Sequence, residues 1–379
     1  MEIMSNIKSI TGKITAEVTD RAHHVKDALR MRSRANTGTK AGATVIDLSA
    51  NPDDFRPALT HIVTTIEEAR AANQKVIVMI GERHDTPAHF ALSDMTRRAL
   101  RKAGNKTRPA LALEASHDFF EHAIARWPDS MAHVRRGILN HLQNMKQERP
   151  AQYHKMQARA YASHAWMAAP IARVECVSAW LREQAPVRLV DLAFNTHEKF
   201  DMDVSETAEF IKHNRKPFNV FLNENTRQGS MRLRNEWMLA NLKAMSHDHD
   251  ITFLQTGLSH IAGDGKRGIS YKYSLHELAQ NIGPNIKVIT VLQEHRSEKF
   301  NYARLPRSAK KAMNTPDTVI IRGGNEDLHF IGLHGTMKEE AASLRKIYSA
   351  SGLPTRQFSI KNGKDYKQKR LELMPLEIK

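Results

Sequence analysis

The chain has 379 residues, 41% of them hydrophobic, a single cysteine, and 57 Lys and Arg against 41 Asp and Glu, for a formal net charge of +16. One cysteine excludes an internal disulfide and any cysteine-built metal site, and no apolar run reaches the roughly 18 residues that a membrane helix needs. The length suits one large domain or two ordinary ones; the positive surplus points to an anionic partner, a membrane surface or nucleic acid, or else to basic residues spread over solvated helix faces.

Residues 1–40 read as a basic N-terminal arm or linker. They carry a weak helical period at Val18, Val25 and Leu29, then the linker-like stretch Arg30–Lys40. They hold neither an apolar core region nor a small-residue cleavage site, so the expected location is cytoplasmic, or exported without a cleavable signal. An α/β unit is expected over 41–300. Its strand candidates are Thr44–Leu48, Lys75–Ile80 (KVIVMI), Ala110–Leu113, Val187–Leu192, Ile251–Leu254 and Lys287–Leu292 (KVITVL). Continuous apolar runs of this kind suit parallel strands covered on both faces. Helical pattern lies between them, at Pro57–Ala72 and Ser274–Gln280. Two stretches, 115–186 and 195–249, are too long for single crossovers and are helix-forming. They are expected as helical insertions capping the carboxyl ends of the strands. The expected fold class is therefore α/β, an open, mostly parallel sheet with such insertions. Residues 301–379 read as a C-terminal extension. In it Thr318–Ile321 and Leu328–Leu333 form a candidate strand pair, followed by a basic tail with Lys361, Lys364, Lys367, Lys369 and Arg370.

Ligands of open α/β sheets bind outside the carboxyl ends of the strands, so the residues just past each apolar run are the ones to read for chemistry. KVIVMI is followed by Gly81-Glu82-Arg83-His84-Asp85, ALAL by Glu114, VRLVDL by Ala193-Phe194-Asn195, and ITFLQ by Thr256-Gly257-Leu258-Ser259-His260. A helical stretch before the last of these places Arg234, Met238 and Asn241 on one face. Glu82 and His84, two apart in a strand-to-loop turn, can point into one cleft, and Glu114 on a neighbouring strand end can meet them. Carboxylates beside a histidine raise its pKa and poise a general base near neutral pH. Arg234 offers a fixed fork of donors for a substrate carboxylate or an oxyanion. His260 offers a second base, an acid or a metal ligand. Glu82, His84 and His260 together make a candidate set for Mn, Co or Zn. The alternative for all five is a polar network that ties strand ends together.

These residues, Gly81-Glu82-Arg83-His84, Glu114, Arg234-Asn235-Glu236-Trp237-Met238 and Gly257-Leu258-Ser259-His260, resemble the pattern of the superfamily that joins erythromycin esterases, ChaN-like haem-binding proteins and the Tiki and TraB proteins. The resemblance covers about residues 75–295. It departs at Leu239, where the family usually has Ala, and at Asn235, where Asp is common. It implies a hydrolase acting on an ester or amide bond of a small molecule or peptide. The water would be activated by histidine and glutamate, as in the esterases, or assisted by a metal, as in the Tiki-like proteases. The ChaN-like members imply a different reading, binding of haem or another small ligand without turnover, although they carry an N-terminal lipobox cysteine and the one cysteine here is Cys176. A third reading is an intracellular effector or toxin whose basic surface meets membrane or nucleic acid. Gly263-Asp-Gly265-Lys-Arg-Gly268 matches a dinucleotide fingerprint, but the following helix starts near Ser274, too late to hold the third glycine.

Overall fold

Seven short segments meet in one all-parallel sheet in the computed structural model of the chain. The structure describes residues 42–83, 86–114, 147–148, 170–191, 224–263, 270–294, 302, 305–324, 337–355 and 358, the side chains of 170–171, 173–174, 224–231, 233 and 337–338 excepted. In chain order the elements are β1 (Thr44–Asp47), α1 (Arg56–Ala71), β2 (Lys75–Glu82), α2 (Pro87–Lys102), β3 (Ala110–Leu113), α3 (Pro170–Arg182) and β4 (Val187–Leu189). There follow α4 (Glu224–Asp248), β5 (Ile251–Gly257), α5 (Leu258–Ala262), a 3-10 turn at Tyr271–Tyr273, α6 (Leu275–Ala279), β6 (Ile286–Gln293), α7 (Arg307–Met313), β7 (Thr318–Arg322) and α8 (Met337–Ala350).

The strands lie in the order β1-β7-β6-β2-β5-β3-β4, every pair parallel. Alternate residues of the central strands serve two cores, as the two-residue strand period requires. Val76, Val78 and Ile80 of β2 join Ile251 and Phe253 of β5 in a core with α1, α2, α3 and α8. Ile77 and Met79 join Leu254 and Leu292 in a second core with α4, α5, α6 and α7. The chain thus crosses the sheet twice. It runs from β1 through β2 and β3 to β4 with its helices on the first face. It then returns through β5, β6 and β7 with its helices on the second, and the returning strands fill the gaps left on the way out. From β6 across to β3, neighbouring strands lead to helices on opposite faces, which is the condition for a ligand crevice at the carboxyl edge.

Local signals place the helices around that edge. α2 begins with Thr86 in extended conformation and Pro87 in its first turn, the position where a missing amide proton costs nothing. α6 begins with Ser274, whose Oγ accepts from the Glu277 amide at 3.2 Å, a serine-to-glutamate capping arrangement. Both expected insertions are helical where described: α3 closes 115–186 and α4 closes 195–249. Their other residues lie outside the described ones, as do the arm up to 41 and the basic tail from 359.

One expectation is corrected. β7 does not stand apart in an extension; it pairs with β6 and with β1 in the main sheet. Leu344, Ile347 and Tyr348 of α8 lie in the first core. Val319, Ile320 and Ile321 are buried on both faces there, whereas an isolated two-strand unit would leave one face in water. Residues 328–333, the expected partner, lie outside the described residues. Among the described residues no helix is long and apolar enough to cross a membrane.

Candidate functional site

The carboxyl edge of β5 organises the polar groups. Glu82 ends β2 in register with Gly257, the last residue of β5. Glu114 follows β3 directly, and its amide donates to the Gln255 carbonyl at 3.0 Å. α5 starts at the residue after β5 with no intervening loop. Gly81 suits this close approach: a Cβ there would stand 2.6 Å from Leu258 Cδ1 and 3.3 Å from the Val291 carbonyl, so a side chain would have to displace that of Leu258.

On the α4 and α5 side, the Glu114 carboxylate is the hub. Its Oε1 accepts from Arg234 Nη2 at 2.7 Å and meets His260 Nε2 at 2.9 Å. Its Oε2 accepts from Thr256 Oγ1 at 2.9 Å and from the Gly257 amide at 2.5 Å. Arg234 Nε donates to Asp191 Oδ1 and Oδ2 at 2.9 and 3.1 Å, and its Nη2 also reaches Asp191 Oδ2. The Arg234, Glu114 and Asp191 side chains are only 13%, 8% and 7% exposed, so this is a buried charged triad. Burial pulls the Arg234 guanidinium down, but the charges and hydrogen bonds of Asp191 and then Glu114 more than offset it, and its pKa lies above the ordinary value. One residue further along α4, Asn235 Nδ2 donates to the Tyr273 carbonyl at 2.6 Å and the His260 carbonyl at 3.2 Å, while its Oδ1 faces His260 Nδ1.

On the α2 side the groups are different. Glu82 Oε2 accepts from Gln255 Nε2 at 2.7 Å. Gln255 and Gln293 both donate to the His89 carbonyl at 3.1 Å, and Gln293 also donates to the Gly81 carbonyl at 3.1 Å. The Arg83 amide donates to His89 Nδ1 at 3.3 Å. Gln255 is in register with Ile80, which points into the first core; Thr256, its neighbour, points the other way.

The expected five-residue set therefore divides. Glu114, Arg234 and His260 are joined by direct bonds. The bond described for Glu82 is to Gln255, on the other face, with Gly257 between the two groups. His84 lies outside the described residues. Arg234, expected as a substrate clamp, has its Nε and Nη2 committed to Asp191 and Glu114. Both ring nitrogens of His260 are engaged, Nδ1 with Asn235 and Nε2 with Glu114. Among the described residues no group of three or more His, Cys, Asp or Glu is arranged to hold a metal. On the helix face expected from spacing, Met238 is core, and Asn241 Nδ2 turns back to the Trp237 carbonyl at 3.0 Å. Glu294, the acid that a dinucleotide site would need, is taken by Arg322 Nε at 2.5 Å and the Tyr302 amide at 2.7 Å.

Sequence reasoning missed Asp191, Gln255 and Gln293, and it read Asn235 only as a departure from a pattern. Asp191 was hidden because VRLVDL reads as one strand; β4 in fact stops at Leu189, which leaves Asp191 at the carboxyl edge. Compared with protein families, curated proteins and solved structures, the chain matches none. What the fold and geometry define is a class: an all-parallel α/β protein with a buried, charge-paired cluster at the carboxyl edge of its central strands.

Proposed function

We propose that the chain is a hydrolase that opens an ester or amide bond of a small molecule or peptide, using a water activated by His84 with Glu82 beside it. The convergence of Glu114, Arg234 and His260 at the carboxyl edge, one strand from Glu82, is the observation that carries this reading. A hydrolytic base must have a nitrogen open to water. His260 has both of its nitrogens taken, which leaves His84 as the histidine of the strand-end set for that task. Glu82 would orient the imidazole and favour its protonated form as the proton leaves water. The paired cluster across Gly257 would hold the strand ends rigid beneath the substrate, as a preorganised site requires. The motif resemblance to the erythromycin esterase, ChaN and Tiki superfamily supports the same reading.

The test is a screen of generic esters, lactones and peptides with the wild-type chain and with His84→Ala. Loss of a positioned base lowers the rate about 10²–10⁴-fold, with circular dichroism unchanged. A metal-free mechanism predicts that activity survives exhaustive chelation; loss followed by rescue with Mn or Co would make the mechanism metal-assisted. Full activity in His84→Ala would end the proposed mechanism.

A further inference from the structure

We infer that Asn235 is a positioning residue: it sets the rotation and tautomer of His260 and keeps that histidine from serving as a base at this edge. The amide can face only one way. Its Nδ2 lies 2.6 Å from the Tyr273 carbonyl and 3.2 Å from the His260 carbonyl. Both partners only accept, so the amide nitrogen must face them and Oδ1 must face the ring. Oδ1 only accepts as well, so the proton between it and His260 belongs to Nδ1. At the other end of the ring, Nε2 lies 2.9 Å from Glu114 Oε1. That carboxylate already accepts from Arg234, from Thr256 Oγ1 and from the Gly257 amide. A carboxylate offers only acceptors, so Nε2 donates too. His260 is then a donor at both nitrogens, with no lone pair for a water proton or a metal ion.

The amide sits where such a job can be done. Asn235 is 0% exposed and His260 3%. Asn235 belongs to α4, His260 to α5, and Tyr273 to the turn before α6. One side chain therefore ties three elements together and points the ring at Glu114. The inference does not depend on the reaction: it holds whether the edge hydrolyses a substrate or only binds one.

The full-length chain labelled with 15N-histidine tests it by long-range proton–nitrogen correlation, with the His260 ring assigned by its disappearance in His260→Gln. The wild-type ring is expected to show both nitrogens as N–H. Asn235→Ala is expected to lose the Nδ1–H signal with the other histidine rings unchanged. Asn235→Asp keeps an acceptor opposite Nδ1 and is expected to retain it. A wild-type ring with a bare Nδ1 would overturn the inference, and so would an Nδ1–H signal that persists in Asn235→Ala. Should Asn235→Ala not fold, the wild-type spectrum and Asn235→Asp still decide: an Nδ1–H signal lost in folded Asn235→Asp also overturns it.

Discussion

The two sides of the β5 carboxyl end solve the same problem with different chemistry. On the α4 and α5 side, Glu114, Asp191 and Arg234 are buried as charges and satisfy one another, with His260 and Asn235 closing the ring of bonds. On the α2 side Glu82 accepts from the neutral amide of Gln255. The carbonyl oxygens of Gln255 and Gln293 are buried there without a hydrogen-bond partner. An unmet buried acceptor costs about 1–3 kcal/mol, and sites that retain one tend to be sites with a task. The contrast teaches where reactivity is to be sought. The charged side is closed, and each of its groups is committed to a neighbour. The amide side has acceptors in hand, and it is the side from which Glu82 leads toward His84.

Breaking the charged side should have the largest effect. Arg234→Ala removes the buried cation that bridges Asp191 and Glu114, and loss of one partner of such a set costs about 3–5 kcal/mol. Urea unfolding monitored by circular dichroism measures it; a loss under about 1 kcal/mol would mean that the cluster is hydrated and the contrast is false. A matched pair sharpens the comparison at smaller scale. Glu114→Gln offers one carbonyl oxygen to four donors and should cost about 1–3 kcal/mol. Glu82→Gln keeps an acceptor for Gln255 and should cost about 1 kcal/mol or less. Equal effects in the two variants would show that the sides do not differ as described.

The smallest effect belongs to His276, on the α4 and α5 side but outside the charged cluster. Burial holds its pKa below the ordinary value, and its Nδ1 meets Thr290 Oγ1 at 2.8 Å. Below about pH 6.5 the unfolded chain takes up this proton before the folded one. Its contribution is therefore complete above that pH and is lost as the pH falls. Stability measured across this range should decline on the acid side, and His276→Gln should flatten part of that slope. An unchanged slope would place the acid sensitivity elsewhere.

Much of this architecture was legible in the residues. KVIVMI, ALAL, ITFL and KVITVL announce buried parallel strands, and the carboxyl ends of the first three lead to Glu82, Glu114 and His260. Strand order was not legible, because an apolar run carries no information about its neighbour; TVIIR therefore read as part of a detached pair and not as the strand between β1 and β6. Gln255 and Gln293 were overlooked because a glutamine closing an apolar run reads as solvent-facing. Both in fact are buried on the α2 side, where they donate to the His89 carbonyl and, respectively, to Glu82 and the Gly81 carbonyl. The division of the site between two faces follows from strand parity. Glu82 and Glu114 each end a strand, but one extends the series of Val78 and Ile80, and the other that of Ala110 and Ala112.

The double crossing of the sheet also governs how the chain can be made. Among β1 to β4, only β3 and β4 are neighbours; every other parallel pair needs β5, β6 or β7. A ribosome that has released the first 250 residues has exported four strands and one strand pair. The nascent polypeptide must carry its exposed edges until the last third emerges and slots between them. Pairings so distant along the chain make folding slow and aggregation-exposed. The charged cluster inherits the same timetable, since Asp191 and Glu114 are synthesised well before Arg234 arrives to neutralise them.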